Sequence, residues 1–426
     1  MNRREWLASL AIDSEPSIDE CISFLGDVID WLHLLESTEQ DSEWHAEGNV
    51  KIHTSMVLEE LYKLLKHEAK HVSGPQRQAL VLAALLHDIG KPTRSRRFDI
   101  DGVERIGAPQ HAEVGRSYLA FKLTELELSF EQIWVTLNLV GEHHSPKKLV
   151  VRNGSRADYL RLSRQANTEL LYWLEIADIR GRICPDPEKQ LEFMEEFRLY
   201  AEEYSVWGSN IDVRTELTPF IAELPCATKE YVFAHAISQL ESGKIYLAEE
   251  AIATTYQYRN EHPHLIVLCG PSGSGKTSWL KRNCGDYALI SLDDLRQQVN
   301  GDRESQANRG QIMQLAKELL REALRKNAKV VWDATNLRSD FRSIVCGLGR
   351  DYHALVSLVV FLQSEAQFRS NNQKRQRSVP NKILEKQISS YQFPLLAEAH
   401  QFQVIDSQGL RQYASGIYAD HETKPV

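Results

Sequence analysis

The sequence is poor in cysteine, and none of its six cysteines forms a CxxC pair. Cys21, Cys184, Cys226, Cys269, Cys284 and Cys346 are too scattered for a disulfide framework or a thiolate zinc site, so reduced thiols are expected. Long apolar runs are also missing. The longest, Leu355–Leu362, is too short to span a bilayer and reads as a buried strand. The first residues turn acidic before any apolar run reaches signal-peptide length, so a cytoplasmic protein with no membrane partner is expected. Positive charge is not in excess. Fifty Lys and Arg face 59 Asp and Glu, and the net charge of -9 excludes a uniformly basic nucleic-acid binder. It leaves room for local basic patches. No internal repeat or low-complexity tract is present.

What remains is a chain of 426 residues, 42% hydrophobic, long enough for two or three cores. Its two halves differ in period. Helical spacing dominates up to about Ser242, in Ile22–Leu35, Thr54–His67, Gln76–Leu86, Ala112–Leu126, Phe130–Glu142 and Arg156–Arg182, with no convincing alternating strand. From His264 the pattern turns to short apolar runs (HLIVLCG, YALISLD, KVVWDAT, LVSLVVFL) separated by helices. That alternation implies βα units and a parallel sheet. The expected architecture is an all-α domain over 1–224, a charged helical connector over 225–262, and an α/β domain over 263–426.

The sharpest motif is GPSGSGKT, a full GxxxxGK[ST] with an apolar strand before it and a helix-compatible run after it. Gly270, Pro271, Ser272, Gly273, Ser274, Gly275, Lys276, Thr277 and Ser278 form the expected nucleotide cradle. Backbone N–H groups and the helix N-terminus would hold phosphate, Lys276 would reach the β and γ phosphates, and Thr277 would bind Mg²⁺. The implied cofactor is ATP or another nucleoside triphosphate with Mg²⁺. Asp293 follows the second strand, where a carboxylate can take a proton from an attacking hydroxyl. Asp333 ends the next strand in the place of a Walker-B acid. A basic stretch from Arg369 to Pro380 could close over the nucleotide. Over about Leu265–Asp406 this half resembles the 5′-OH polynucleotide kinases of phage and bacterial end healing. The resemblance implies that Asp293 is the general base and that Arg296 clamps the acceptor's neighbouring phosphate. It also implies a lid at Arg375-x-Arg377-x-Val-Pro, and it does not choose among Lys374, Arg375 and Arg377.

The helical half carries an ordered series of ligand-type residues. His53 opens one helix, His87-Asp88 closes the apolar LVLAALLHDIGKP, and Asp178 sits in LLYWLEIADIRGR. Imidazole and carboxylate suit divalent Mn, Co, Ni or Fe, at one or two sites. His111 and His143-His144 lie between them in order, and either of the adjacent histidines could ligate. Over His45–Arg182 the motifs GNVxxHTxxVL, LLHDIGKP and ADIRGR resemble the HD domains attached to some tRNA nucleotidyltransferases. That resemblance implies His53, His87, Asp88 and Asp178 as ligands, with His111 and His143 adding a second metal. Such metals would lower the pKa of bound water and polarise a phosphate. Lys91 could touch a phosphate oxygen as a point charge, and His45 could act on substrate or only support structure.

The order of the two halves resembles the bacterial HD-domain polynucleotide kinase fusions of RNA end healing. It implies hydrolysis of 2′,3′-cyclic phosphate and 2′-phosphate ends, and phosphorylation of 5′-OH ends. The implied partners are RNA or DNA ends, a nucleoside triphosphate and a separate RNA ligase. The competing reading is a metabolic nucleotidase joined to a nucleoside or small-molecule kinase. Arg296 separates the two, because it calls for a phosphate-bearing acceptor. Lys91, Arg94, Arg96 and Arg97, then Lys147, Lys148, Arg152 and Arg156, are expected either to guide a phosphate backbone or to be solvated faces.

Overall fold

The structure, a computed structural model, describes residues 1–302, 305, 307–375 and 378–418. The chain divides into two compact units, Met1–Ile211 and Asp212–Val426.

The first unit is built of helices, as its 3.6-residue period predicts. Gly74–Leu86 is its axis: every residue from Arg77 to Leu86 is buried. It packs against Phe130–Glu142 and Val50–Lys66, and the latter packs on Thr168–Arg180. Ser129 starts Phe130–Glu142 with a capping box, its Oγ accepting from Gln132 N while its own N–H donates to Gln132 Oε1. Two predicted helices are interrupted. Arg156–Arg182 breaks because Asn167 accepts a hydrogen bond from Leu170 N and caps a new helix there. Ile22–Leu35 ends at Leu25 and resumes as a 3-10 turn, Asp30–Leu34. The unit also holds an unforeseen antiparallel hairpin, β1 (Arg96–Ile100) and β2 (Val103–Gly107). Its strands are exposed and charged, so no apolar alternation marks them.

The second unit contains a six-stranded sheet. Its strands are β3 (His264–Cys269), β4 (Ala288–Ser291), β5 (Lys329–Asp333), β6 (Leu355–Phe361), β7 (Gln401–Ile405) and β8 (Arg411–Ser415). They lie in the order β4-β5-β3-β6-β7-β8. All neighbours are parallel except the antiparallel β7–β8 edge. β6 is buried at every residue, which explains its unbroken apolar run. The chain leaves β3 to one side for β4 and β5, then crosses to the other for β6. The C-terminal end of β3 is therefore a topological switch point, the place where such sheets bind ligands. The unit starts before residue 225, and the expected connector belongs to it. Its helix Cys226–Glu241 packs Tyr231 and Ala234 on Leu355, and the Tyr231 hydroxyl donates to His353 O at 2.8 Å.

Candidate active sites

In the first unit, four histidines share one device. Each turns Nδ1 toward a backbone carbonyl: His53 to Gly181 (3.2 Å), His87 to Ala84 (2.8 Å), His111 to Ala108 (2.7 Å) and His143 to Val140 (2.8 Å). A carbonyl only accepts, so Nδ1 carries the proton and Nε2 keeps its lone pair. Those Nε2 atoms converge. His53 and His87 approach at 3.4 Å, as do His111 and His143. His53 Nε2 lies 2.9 Å from Asp178 Oδ1, and His87 Nε2 lies 3.2 Å from Asp88 Oδ2. Asp88 spans both groups, because its Oδ1 is 3.1 Å from His111 Nε2.

Lone pairs and carboxylates facing one another repel unless a cation lies between them. Asp178 Oδ1 is buried with no hydrogen-bond donor aligned to it. The donor set thus fits a divalent metal: His53, His87 and Asp88 cluster with Asp178 against His53, and His111, His143 and His144 cluster on the other side of Asp88. The two carboxylates dominate the electrostatics around His87. Burial opposes charge on His87, but Asp88 and Asp178 outweigh it and raise its pKa. Burial, His111 and then His87 hold His143 well below the usual histidine value. Asp88 stays ionised despite its burial, because His87 and Lys91 favour the charge.

The HD turn brings these helices together. His87 caps Gly74–Leu86 and Asp88 follows in the turn. At Gly90 a Cβ would come within 2.1 Å of His111 O, so only glycine lets the His111 helix seat against this turn. Lys91 is buried, with Nζ 2.6 Å from Asp88 Oδ2 and donating to Gln40 Oε1 at 2.6 Å. His144 points to Glu175, its Nδ1 being 3.4 Å from Oε1, while His143 faces His111.

Four site residues carried no assignment in the sequence: Gln40, Glu47, Glu175 and Arg182. Glu47 accepts from His45 Nδ1 at 3.0 Å and from Ile183 N at 2.9 Å, and lies 2.9 Å from His53 Nδ1. Arg182 binds Asp178 one helical turn back at 2.5 Å. Burial, and after it Asp178, raises Glu175 well above the usual carboxylate range. Only the spacing H-x-E before GNV and the arginine of ADIRGR hinted at two of them. Several of the surface cations have partners within the unit: Arg97 pairs with Glu104, Arg94 with the Pro109 carbonyl, Lys147 with Gln190 and Arg152 with Asp158.

In the second unit, the loop Gly270–Gly275 runs from β3 into the helix Lys276–Asn283. Gly273 has φ +84°, and a Cβ there would meet Phe368 O at 2.6 Å. Pro271 and Ser274 are buried, while Thr277 and Ser278 are exposed on the first helical turn. Ser272 N donates to Gln387 Oε1 at 2.8 Å. Lys276 folds back on its own loop, donating to Gly270 O (2.7 Å) and Pro271 O (2.8 Å). Burial lowers its pKa to about 8, with Asp333 acting in the opposite direction. Asp333 pairs in register with Ser291, which caps the helix Leu292–Asn300. Asp333 therefore ends its strand, and Asp293 lies in the first turn of the helix that follows the neighbouring strand. Burial raises the Asp333 pKa, Lys276 opposes the rise and Asp293 adds to it. Asp293 is exposed and ion-paired with Arg296 one turn on. In the lid segment, Asn372 exchanges hydrogen bonds with Val379, Nδ2 to O at 2.7 Å and N to Oδ1 at 3.0 Å. Arg375 is exposed and within electrostatic reach of Lys276 and Asp333. Arg377 lies outside the described residues.

Residues 50–179 match the HD domain family, and residues 265–394 match the AAA domain family. The first unit is thus similar to HD domains and the second to P-loop domains of the AAA type. The HD match encloses the candidate ligands His53, His87, Asp88, His111, His143 and Asp178, while Gln40, Glu47 and Arg182 fall outside it. The HD match runs from the helix of His53 to Asp178, and the P-loop match from β3 through the lid segment. No curated protein matches the chain. Among the described residues no helix is long and apolar enough to cross a membrane.

Proposed function

We propose that this bifunctional phosphohydrolase and kinase heals broken nucleic-acid ends. The HD domain hydrolyses 2′,3′-cyclic phosphate and 2′-phosphate ends of RNA. The P-loop domain moves the γ-phosphate of a nucleoside triphosphate to a 5′-OH. The observation that carries this reading is Arg296, which extends from the same helical turn as Asp293 at the C-terminal edge of the sheet. A neutral nucleoside has no use for a cation there, whereas a polynucleotide presents a phosphate beside its terminal hydroxyl.

In the HD domain, His53, His87, Asp88 and Asp178, with His111 and His143, would hold one or two divalent metals. A bound metal there supplies Lewis acidity to water and to phosphate oxygens. Asp88 would serve both ligand groups, and Glu47 and Arg182 orient two of the other ligands. Lys91 is placed to neutralise charge beside Asp88. In the kinase, Arg296 exchanges Asp293 for the acceptor phosphate, which frees Asp293 Oδ1 to take the 5′-hydroxyl proton. Lys276 exchanges its loop carbonyls for the β and γ phosphates, Asp333 and Thr277 serve Mg²⁺, and Arg375 stabilises transferred charge. Arg377, in the same lid segment, shares that role in this reading.

The test is an RNA with a 5′-OH and a 2′,3′-cyclic phosphate, given ATP and Mg²⁺ or Mn²⁺. Both ends are expected to change. Unaltered ends, with free nucleotides or nucleosides reacting instead, refute the assignment.

A further inference from the structure

The HD site contains an imidazole that the ligand set does not use. His45 lies in the turn before the helix Val50–Lys66. Its ring stands edge-on to that of His53, with centroids 4.9 Å apart. Its Nδ1 is held by Glu47 Oε1 at 3.0 Å, by the same oxygen that lies 2.9 Å from His53 Nδ1. The turn is itself pinned. Ala46 N donates to Ile183 O and Ile183 N donates to Glu47 Oε2, both at 2.9 Å. One carboxylate, only 1% exposed, thus orients two imidazoles.

Their remaining nitrogens differ. His53 Nε2 faces Asp178 and Asp88 and is sealed. His45 keeps 14% of its side chain exposed, and its Nε2 has no partner among the described residues. Lys91 and Arg182, which flank Asp88 and Asp178, both act on it electrostatically, so the ring stands in the wall of the metal-ligand cluster. With the Nδ1 proton committed to Glu47, Nε2 offers a lone pair and can accept a hydrogen bond from an O–H.

We propose that His45 is a substrate-binding residue whose Nε2 accepts a hydrogen bond from the ribose hydroxyl vicinal to the scissile phosphate, with Glu47 as the positioning residue that holds it there. The assignment rests on the RNA-end reading of the HD domain and narrows it. The site would read a vicinal hydroxyl beside the phosphoester, which selects ribose over sugars that lack it. A recognised hydroxyl is worth about tenfold, the equivalent of one net hydrogen bond.

The experiment compares a nucleoside 2′-phosphate bearing its 3′-hydroxyl with the 3′-deoxy analogue, on full-length metal-loaded protein. Wild type is expected to prefer the hydroxyl-bearing substrate by about tenfold in kcat/KM. His45→Ala should lose that preference while its bound metal per chain, by elemental analysis, stays at the wild-type value. His45→Gln, which keeps an acceptor, should recover part of the preference and covers the case in which alanine disturbs the turn. Equal slowing of both substrates by these variants, loss of metal, or a wild type indifferent to the hydroxyl overturns the assignment. A wild type that cleaves neither substrate nor a 2′,3′-cyclic end overturns the RNA-end reading itself.

Discussion

The two sites are built on opposite plans. In the HD domain, His53 and His87 are fully buried, Asp88 and Asp178 nearly so, and His53, His87, His111 and His143 are each fixed by a carbonyl behind the ring. In the P-loop domain, Asp293 is 66% exposed and ion-paired with Arg296, and Lys276 is satisfied by its own loop. One site spends its folding energy on holding like charges and lone pairs together, and needs only a cation. The other rests in a neutralised state that a ligand must rearrange. Preorganised ligands give high affinity and rigid geometry, whereas self-paired groups permit exchange.

The sharpest way to break this contrast is Asp88→Ala. It removes the residue shared by both ligand groups, so phosphoester hydrolysis should fall below detection while ATP-dependent 5′ phosphorylation persists. Assaying both activities on one preparation checks it, and joint loss in a folded protein would mean the sites are coupled. Lys276→Ala is the converse. Kinase turnover should drop by roughly 10²–10³-fold, the usual effect of removing one preorganised charge-stabilising donor, with hydrolysis unchanged.

A smaller effect concerns pH. Lys276 has its pKa depressed to about 8, chiefly by burial, and triphosphate binds its charged form. Nucleotide affinity should therefore be level below pH 8 and weaken above it by up to about tenfold per pH unit. Calorimetric titrations of Mg-ATP from pH 7.5 to 9.5 read this out, and a flat profile would mean that Lys276 keeps its proton throughout. The smallest expected effect is on the HD side. Asn167→Ala removes the cap of the helix that carries Asp178 and should cost about 1 kcal/mol. Thermal melts monitored with and without Mn²⁺ should show a lower Tm in both, with the difference narrowed by metal.

Legibility in the sequence followed contiguity. The P-loop could be read because its residues are consecutive and its flanks are a strand and a helix. His87-Asp88 and Asp178 could be read because each sits on a strongly apolar helix. Glu47 could not, since part of its meaning comes from Ile183, far along the chain. Arg182 could not, because an arginine one turn after Asp178 reads equally as a solvated helix end. The β1–β2 hairpin escaped because Arg96, Arg97, Asp99, Glu104 and Arg105 break up its few apolar positions. β7 and β8 escaped because five-residue strands separated by DSQGL give little periodicity. The break at Asn167 was in principle visible as an N-cap type, but an apolar period running through it hid the cap.

The resting hydrogen bonds of Lys276 carry a kinetic consequence. Two carbonyls compensate the ammonium when the nucleotide departs, so the empty loop does not strand a half-buried charge. The departing phosphate is replaced acceptor for acceptor, which lowers the cost of release. An enzyme of this build trades tightness for turnover: the loop competes with its own product and hands the lysine back to the next nucleotide.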